Sequence, residues 1–245
     1  EYSKYPLVEQ IYVPVIFNKL YEAAAKNASK QERFIFSSYG SNVEDFKKNF
    51  ISTGDGGFQI FDNPLQAVLF AIYFQSNVKR FISGGSPNNF LKKLHKIVQT
   101  IELRYAITHD YIYSYNMNFF GPAIISNARI LFRDNLNRLL VDHNTIDWFT
   151  ETINSIENLL DMNKENFLLT KYFKDYDPDL YSSVFESKSA FKSVDLLKIG
   201  NIDIKTTTLD IYNLHIQTLL KLNIVKHDYK MFLLTLGNLN TKGIE

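Results

Sequence analysis

The sequence predicts an α+β fold in which helices cover a mostly antiparallel sheet, and three observations predict it. Apolar residues recur at helical spacing from Leu7 to Lys26 and again after Pro64. β-Prone segments flank tight turns in Phe50–Phe61 and Leu197–His215, a pattern typical of hairpins. Hydrophobic residues make up 45% of the 245 positions, so the chain can bury a large core.

The composition restricts the classes of function. The 27 Lys and Arg nearly balance the 26 Asp and Glu, so the formal net charge of +1 gives no bulk attraction to nucleic acid or to a membrane surface. The absence of cysteine excludes disulfides, cysteine nucleophiles and thiolate metal sites. No apolar run approaches the roughly 20 residues that a membrane span requires. We therefore expect a cytoplasmic protein that has neither nucleic acid nor a membrane as its partner.

The first half of the chain opens with a predicted helix, Leu7 to Lys26, in which Pro14 predicts a kink or a break. The runs NFIS and GFQIF then flank Thr53–Gly57, so a β-hairpin is predicted with Asp55 at its tip. The dipeptide Asn63-Pro64 predicts a helix start with proline at the first helical position. The run LQAVLFAIYFQSNVKRFI that follows predicts a largely buried helix.

The second half alternates predicted helices and strands and ends near a second hairpin, Leu197–His215. A polar stretch of weak periodicity predicts a helical insertion at about 150–196, and the tail to Glu245 contains one more amphipathic stretch. The other predicted elements are an amphipathic segment at Phe90–Thr100, a strand pair or one bent strand at Ile101–Ile112, a break at Asn116–Pro122, a helix at Ala123–Phe132, a short buried strand at Arg138–Asp142 and a helix at Ile146–Leu160.

Four segments in this order resemble the class III nucleotidyl cyclases, the family of adenylate and guanylate cyclases. The family's metal-binding hairpin has a lysine, two residues and Gly-Asp-Gly before an aromatic strand, and Ile51–Phe58 (ISTGDGGF) matches it except at the lysine. Tyr105–Asp110 (YAITHD) resembles the next family strand, and Asn118–Leu131 (NFFGPAIISNARIL) resembles the segment with the family's arginine. Arg138–Asp142 and the stretch from Gly200 to Tyr212 resemble the strand and hairpin that close the family's domain.

The resemblance implies a ferredoxin-like class III cyclase catalytic domain at residues 1–217, with a helical insertion, followed by a C-terminal tail or helix at 218–245. It implies conversion of a nucleoside triphosphate to a 3′,5′-cyclic monophosphate and pyrophosphate. It also implies Mg²⁺ or Mn²⁺ as the cofactor and a homodimer with each active site between two subunits.

The resemblance assigns roles residue by residue. Asp55 would hold metal, and Arg129 would act on phosphate oxygens during transfer. Lys205 would contact the triphosphate, while Ile51 and Asn118 occupy the family's base-selecting positions. Judged without the family, an Asp in a glycine-rich turn is most often only a turn residue, and an arginine such as Arg129 is as well explained by a surface salt bridge.

Three positions depart from the family pattern, and they leave the function open. Ile51 replaces the base-selecting lysine, Asn118 the base-selecting acid, and Ile125 the asparagine that orients the ribose. The strand that carries the family's first metal carboxylate is not legible, and we expect it upstream of Glu1 or absent. A stand-alone bacterial pyrimidine cyclase of the antiphage type is one alternative. An inactive cyclase-like regulatory or dimerisation module and a structural helical protein are the others.

Overall fold

A curled five-stranded sheet carries helices on both faces, and two short hairpins stand outside it. The structure is a computed structural model that describes residues 5–40, 42–116, 118–161, 192–204, 207–225 and 228–244. Within these residues the sheet is mostly antiparallel, so the predicted α+β class is confirmed at that level.

Helices make up most of the first half of the described chain. None of the described helices is long and apolar enough to cross a membrane. Their bounds are α1 (Leu7–Gln31), α2 (Val43–Lys48), α3 (Pro64–Ile82), α4 (Asn89–His95), α5 (Pro122–Arg133) and α6 (His143–Ile153), with 3₁₀ turns at Ser37–Tyr39 and Ile156–Asp161.

The strands divide into one sheet and two separate pairs. β1 (Phe50–Ser52) and β2 (Gly57–Gln59) pair only with each other, as do β4 (Tyr113–Tyr115) and β5 (Asn118–Phe120). The five-stranded sheet is formed by β3 (Tyr105–Ile107), β6 (Leu139–Asp142), β7 (Lys192–Ile204), β8 (Thr207–Val225) and β9 (Asp228–Leu236).

The sheet has the order β3-β6-β8-β7, and β9 pairs with the second half of β8. β3 and β6 are parallel and are joined through α5, whereas the remaining pairs are antiparallel. Successive residues of β6 face opposite sides of the sheet. Leu139 and Val141 join the main core with α1, α3 and α6, while Leu140 joins a smaller core with Ile130 of α5. The helices therefore occupy both faces.

The helix α3 is buried on nearly every side. Asn63 caps its start by accepting a hydrogen bond from the Gln66 N–H at 3.0 Å, and Pro64 occupies the first helical turn, as predicted. Fourteen of its 19 residues are buried. A helix with no polar face needs neighbours all round, and α1, α4, α6, β3 and β9 supply them.

Pro14 lies inside a single helix, so the predicted break in α1 is wrong. A proline in a helix interior costs roughly 3 kcal/mol because it removes a hydrogen bond and crowds the preceding turn. Val13 and Ile16, which flank it, are both buried in the core that α1 shares with α3. Burial of this face holds the helix together through the proline.

The structure also differs from the prediction at three later places. Only Tyr105–Ile107 of the predicted strand region Ile101–Ile112 is a strand, and the hairpin β4–β5 lies where a break was predicted. The C-terminal stretch is strand rather than helix, and the predicted boundary between residues 217 and 218 falls inside β8. The second hairpin is confirmed as β7–β8, longer than predicted. Most of the predicted insertion lies outside the described residues, and its last residues, 192–196, belong to β7.

A buried ion pair fastens the C-terminal segment to the start of β6. The side chains of Arg138 and Asp134 are each only 1% exposed, and a guanidinium nitrogen lies 2.7 Å from an Asp134 carboxylate oxygen. Arg138 also donates hydrogen bonds to the carbonyl oxygens of Asn240 and Lys242. Arg138 therefore joins two chain segments about a hundred residues apart.

Replacing Arg138 with alanine should strongly destabilise the fold, because Asp134 would be left as an unpaired buried charge. We expect R138A to lose about 3–5 kcal/mol of unfolding free energy in urea titrations. The exposed Arg133, also close to Asp134 in sequence, is the matched control, and R133A should change that free energy by less than about 0.5 kcal/mol. Equal losses in both variants would contradict the role given to the buried pair.

Candidate functional site

A cleft of about 660 Å³ separates the hairpin β1–β2 from the sheet, and we call it the interstrand cleft. One side is formed by β2 with the residues after it, from Gly57 to Pro64, and the opposite side by β3 with its flanks, from Ile101 to Asp110. Side chains of α1 and α3 form an apolar wall, and α5 contributes Ala123, Ile124, Asn127 and Leu131. The cleft thus lies between two strands that do not pair with each other.

Aromatic packing, rather than backbone pairing with the sheet, holds the hairpin β1–β2 in place. The ring centre of Phe50 lies 4.8 Å from that of Tyr21 and 6.3 Å from that of Phe17, both on α1. The Tyr21 hydroxyl donates to Gln59 Oε1 at 2.5 Å. Burial raises the pKa of Tyr21 well above its usual range, so this hydroxyl stays protonated and remains a donor.

Two positions of the hairpin require glycine, each for a different structural reason. Gly54 has φ of +98°, a conformation that favours glycine. A Cβ atom on Gly57 would overlap the ring of Phe50 and the carbonyl oxygen of Ile51. Between them Asp55 is exposed at the tip and lines the cleft. Asp55 lies at the hairpin tip, as the sequence predicted. The turn therefore presents its carboxylate at the cleft rim.

A polar network closes the side of the cleft nearest α5. Asn127 donates its side-chain amide to the Ala106 carbonyl oxygen at 2.8 Å and to Thr108 Oγ1 at 3.3 Å. Thr108 Oγ1 in turn donates to the carbonyl oxygen of Ala123 at 2.9 Å. Sequence reasoning gave Asn127 no role, because its spacing did not match the family's asparagine. The structure places it in the cleft, tying α5 to β3.

Asp142, at the end of β6, is a buried carboxylate that sequence reasoning missed. It accepts hydrogen bonds from the backbone N–H of Thr145 at 3.0 Å, where it caps α6, and from the N–H of His109 at 3.3 Å. Burial is the main cause that raises the pKa of Asp142 to about 6, against its hydrogen bonds. The Asp-His-Asn-Thr sequence is a helix-start signal that could have located it.

The other predicted site residues lie elsewhere. Arg129 is half-buried on α5 and donates to the Asp203 carbonyl oxygen of β7 at 3.0 Å, outside the cleft lining. Ile51 is half-buried opposite Phe58, and Asn118 is exposed at the start of β5. Lys205 lies outside the described residues. Among the described residues of one chain, Asp55 is therefore the one predicted site residue that lines the cleft.

The charges around the cleft are mostly negative. Its described lining carries the carboxylates Asp55, Asp62, Glu102 and Asp110 against the single guanidinium of Arg104. His109 does not offset them, because burial lowers the pKa of His109 and favours its neutral form. A triphosphate could occupy such a cleft only together with cations.

The described residues do not by themselves fit a two-metal centre. Within that part of the chain, no group of three or more His, Cys, Asp or Glu side chains is placed to hold a metal ion. Asp55 is a single exposed carboxylate, and Asp62 accepts hydrogen bonds from Ser38 and Gln66. A pair of divalent ions is normally held by shared carboxylates. The four carboxylates of the described lining do not form a group of three or more metal ligands.

Comparison with known proteins adds no relative from which a role could be transferred. No protein-family model matches the chain, and no curated protein matches it.

Adding a methyl group at Gly57 should loosen the hairpin, because the Cβ would overlap Phe50. We expect G57A to lose about 1–3 kcal/mol of unfolding free energy, measured by urea titration. Gly56 is the matched control: a Cβ there meets only the Thr53 hydroxyl oxygen, at 3.8 Å. G56A should cost less than about 1 kcal/mol. A G57A variant as stable as G56A would show that the ring of Phe50 does not fix the hairpin.

Asp142 should make the protein less stable at neutral pH than at mildly acidic pH. Its pKa is raised from 3.8 to about 6 on folding, so the folded state binds more protons than the unfolded state between pH 4 and 6. The unfolding free energy contributed by this group therefore rises as pH falls through 6 and levels off near 4. For a pKa shift of this size, the unfolding free energy contributed by Asp142 changes by about 3 kcal/mol in total.

The test is the difference in unfolding free energy between the parent and D142N, titrated from pH 4 to 8. Asparagine keeps an oxygen for the Thr145 N–H but cannot ionise. The unfolding free energy of D142N should therefore increase relative to that of the parent as pH rises from 4 to 6. The matched control is E151Q, which removes an exposed carboxylate from the same helix and should show the same pH dependence as the parent. A pH-independent difference for D142N would contradict the raised pKa.

Proposed function

We propose that this chain is a nucleotidyl cyclase domain, which converts a nucleoside triphosphate to a 3′,5′-cyclic monophosphate and pyrophosphate. The observation that carries the proposal is the position of Asp55. The residue to which the cyclase resemblance gives a metal role lies on the rim of a cleft of about 660 Å³. Clefts of about 300–1,000 Å³ are typical of small-molecule sites.

The reaction needs the ribose 3′-hydroxyl to attack the α-phosphorus in line with the bond to pyrophosphate. The new O–P bond forms as the bond to the leaving pyrophosphate breaks, and the hydroxyl proton passes to a base or to water. Negative charge develops on the phosphoryl oxygens, where a guanidinium such as that of Arg129 stabilises it. Mg²⁺ or Mn²⁺ is the cofactor that the resemblance implies. The negative lining of the cleft supports a need for cations with any triphosphate.

A homodimer accounts for the separation of Arg129 from Asp55. Arg129 lies on α5 toward β7, so it would serve a cleft on a second copy of the chain rather than its own. Large apolar side chains are exposed near this helix: Phe132 is 90% exposed, and Tyr111 and Tyr115 are more than two-thirds exposed. Exposed aromatic groups of this kind favour a protein interface.

A catalytically inactive cyclase-like module, with a regulatory or dimerisation role, is the second candidate. It is favoured by the lack of a metal-ligand cluster among the described residues and by Ile125 in the position of the family's ribose-orienting asparagine. The strand with the family's first metal carboxylate is still expected upstream of Glu1 or absent. If the enzyme is active, the changed base-selecting positions Ile51 and Asn118 favour a pyrimidine substrate and a role in antiphage signalling.

The test is incubation of the protein, with its natural N-terminus, with ATP, GTP, CTP or UTP and Mn²⁺, followed by detection of cyclic product. D55N and R129A should each reduce the rate at least about 100-fold. Mixed after subunit exchange, the two inactive variants should recover about a quarter of the parent rate. Half of the dimers then contain one chain of each variant, and one of the two sites in each of these dimers is intact.

The matched controls are D147N and R133A, which replace exposed residues outside the cleft lining and should keep the parent rate. Triphosphate binding without product would favour the inactive module over the enzyme. If neither cyclic product nor triphosphate binding is detected, both readings of the cleft as a nucleotide site are overturned. Activity of D55N alone would contradict the role of Asp55.

A further inference from the structure

The exposed large apolar side chains of the described chain fall mainly into two groups. One group surrounds β4, β5 and α5, the surface proposed for the homodimer. The other group lies on α1, at the end of α3 and along α4, outside that surface, and includes Leu7, Ile11, Ile82, Phe90 and Ile97. Exposed apolar patches on a folded protein mark contact sites for a partner. The second group therefore needs a partner of its own.

Lysines accompany the second group, and acidic residues do not. From Asn63 to Ile101 the sequence has five Lys and Arg residues and no Asp or Glu. Three of the five, Lys92, Lys93 and Lys96, are exposed in and just after α4. Among the residues that the structure describes, none forms an ion pair with these three lysines. The formal net charge of +1 for the whole chain conceals this local excess of positive charge.

The packing of α4 turns the three lysines outward. Leu91, Leu94 and Val98 are buried in the main core, and the helical turn continues to Val98, whose N–H donates to the Leu94 carbonyl oxygen at 2.9 Å. Residues three and four apart share one face of a helix. Phe90, Ile97 and the three lysines are left on the opposite face, where all of them are exposed. Positive and apolar side chains thus share one outward surface.

The end of α3 and the start of α1 adjoin this surface. Ile82 and Lys96 border one shallow pocket of about 440 Å³, which Thr100 also lines. α1 contacts α4, and the Tyr5 hydroxyl, just before α1, donates to the Thr100 carbonyl oxygen at 3.3 Å. The exposed Leu7 follows two residues later. We call the following set the basic–apolar face: Ile82, Phe90, Lys92, Lys93, Lys96 and Ile97.

We propose that the basic–apolar face docks the protein on the surface of a membrane that contains anionic lipids. The lysines would lie among the anionic head groups, while Ile82, Phe90 and Ile97 would enter the boundary between head groups and acyl chains. A nucleic acid would also attract the lysines, but its phosphate backbone offers no apolar layer to exposed isoleucines. Charge complementarity together with the apolar side chains therefore favours the lipid surface. The docking does not depend on the proposed reaction.

Both components of the face are needed for docking. Each cation held near an anionic membrane surface strengthens binding by about fivefold, so three lysines account for roughly 100-fold. A single weak signal gives only marginal membrane binding, and the apolar side chains supply the second signal. We therefore expect binding that requires anionic lipid, requires the apolar side chains and weakens as salt screens the lysines.

Sedimentation with lipid vesicles tests the proposal. Vesicles of phosphatidylcholine with about 30% phosphatidylserine should bind the protein, and vesicles of phosphatidylcholine alone should bind it at least about 10-fold more weakly. Raising the NaCl concentration from about 0.05 M to about 0.5 M should release most of the bound protein from the anionic vesicles.

A matched pair of variants tests whether the lysines of the face are responsible. K92Q/K93Q should weaken binding to the anionic vesicles about 25-fold. K26Q/K30Q removes the same charge from exposed positions toward the far end of α1, roughly 30 Å from its start. It should bind within about twofold of the parent, because charges more than a Debye length from the membrane are screened.

A second pair of variants tests the apolar component. F90S/I97S should weaken binding to the anionic vesicles at least about 10-fold, because two large side chains no longer enter the lipid. L197S/L239S replaces two exposed apolar residues outside the face and should bind like the parent. All four side chains are exposed, so each variant should unfold at the same urea concentration as the parent.

Four outcomes would overturn the proposal. The first is equal binding to both kinds of vesicle, or binding to neither. The second is parent-like binding by K92Q/K93Q or by F90S/I97S. The third is an equal loss in K92Q/K93Q and K26Q/K30Q, because bulk charge would then explain the binding. The fourth is failure to bind vesicles together with binding of a DNA or RNA fragment that K92Q/K93Q abolishes, which would assign the face to nucleic acid.

Discussion

The fold depends on covering α3, a helix that has no polar face to offer to water. Such a helix requires apolar neighbours on all sides, because leaving one large apolar side chain exposed loses roughly 1.5–3 kcal/mol of folding stability. α1 covers one side of α3, and the sheet, α4 and α6 cover the others. Pro14 is tolerated in α1 for this reason, since the residues around it are fixed by packing on α3. The arrangement of layers follows from this single requirement.

The same packing decides where the hairpin β1–β2 lies. It pairs with no strand of the sheet, so its position comes from side chains, chiefly Phe50 against Tyr21 and the hydrogen bond from Tyr21 to Gln59. α1 and α3 thereby hold the hairpin at a distance from β3 and leave the interstrand cleft between them. The carboxylate of Asp55 stands at the cleft rim because of helix packing rather than strand pairing.

Helix geometry separates the polar residues of α5 into two sets. Asn127 and Arg129 are two residues apart, so they point in roughly opposite directions, about 200° apart around the helix. Asn127 turns toward β3 and satisfies the Ala106 carbonyl oxygen, while Arg129 turns toward β7 and bonds to Asp203. One helix thus contributes both to its own cleft and to a surface that a second chain could meet. A composite site in a homodimer is consistent with that division.

The sequence by itself determined the features that depend on local chemistry. Asn63-Pro64 starts α3, the glycines around Asp55 form a tight turn, and alternating residues of β7 and β8 pair, because neighbouring residues decide each of them. Only the tertiary structure decided the rest. Residues 218–225 and 228–236 are strands since β8 and β9 pair with each other, and Pro14 does not end α1 since α3 holds it. The direction in which Arg129 points, and the meeting of Asp55 with Asn127 at one cleft, depend on contacts between segments distant in the chain. Local propensity carries no information about such contacts.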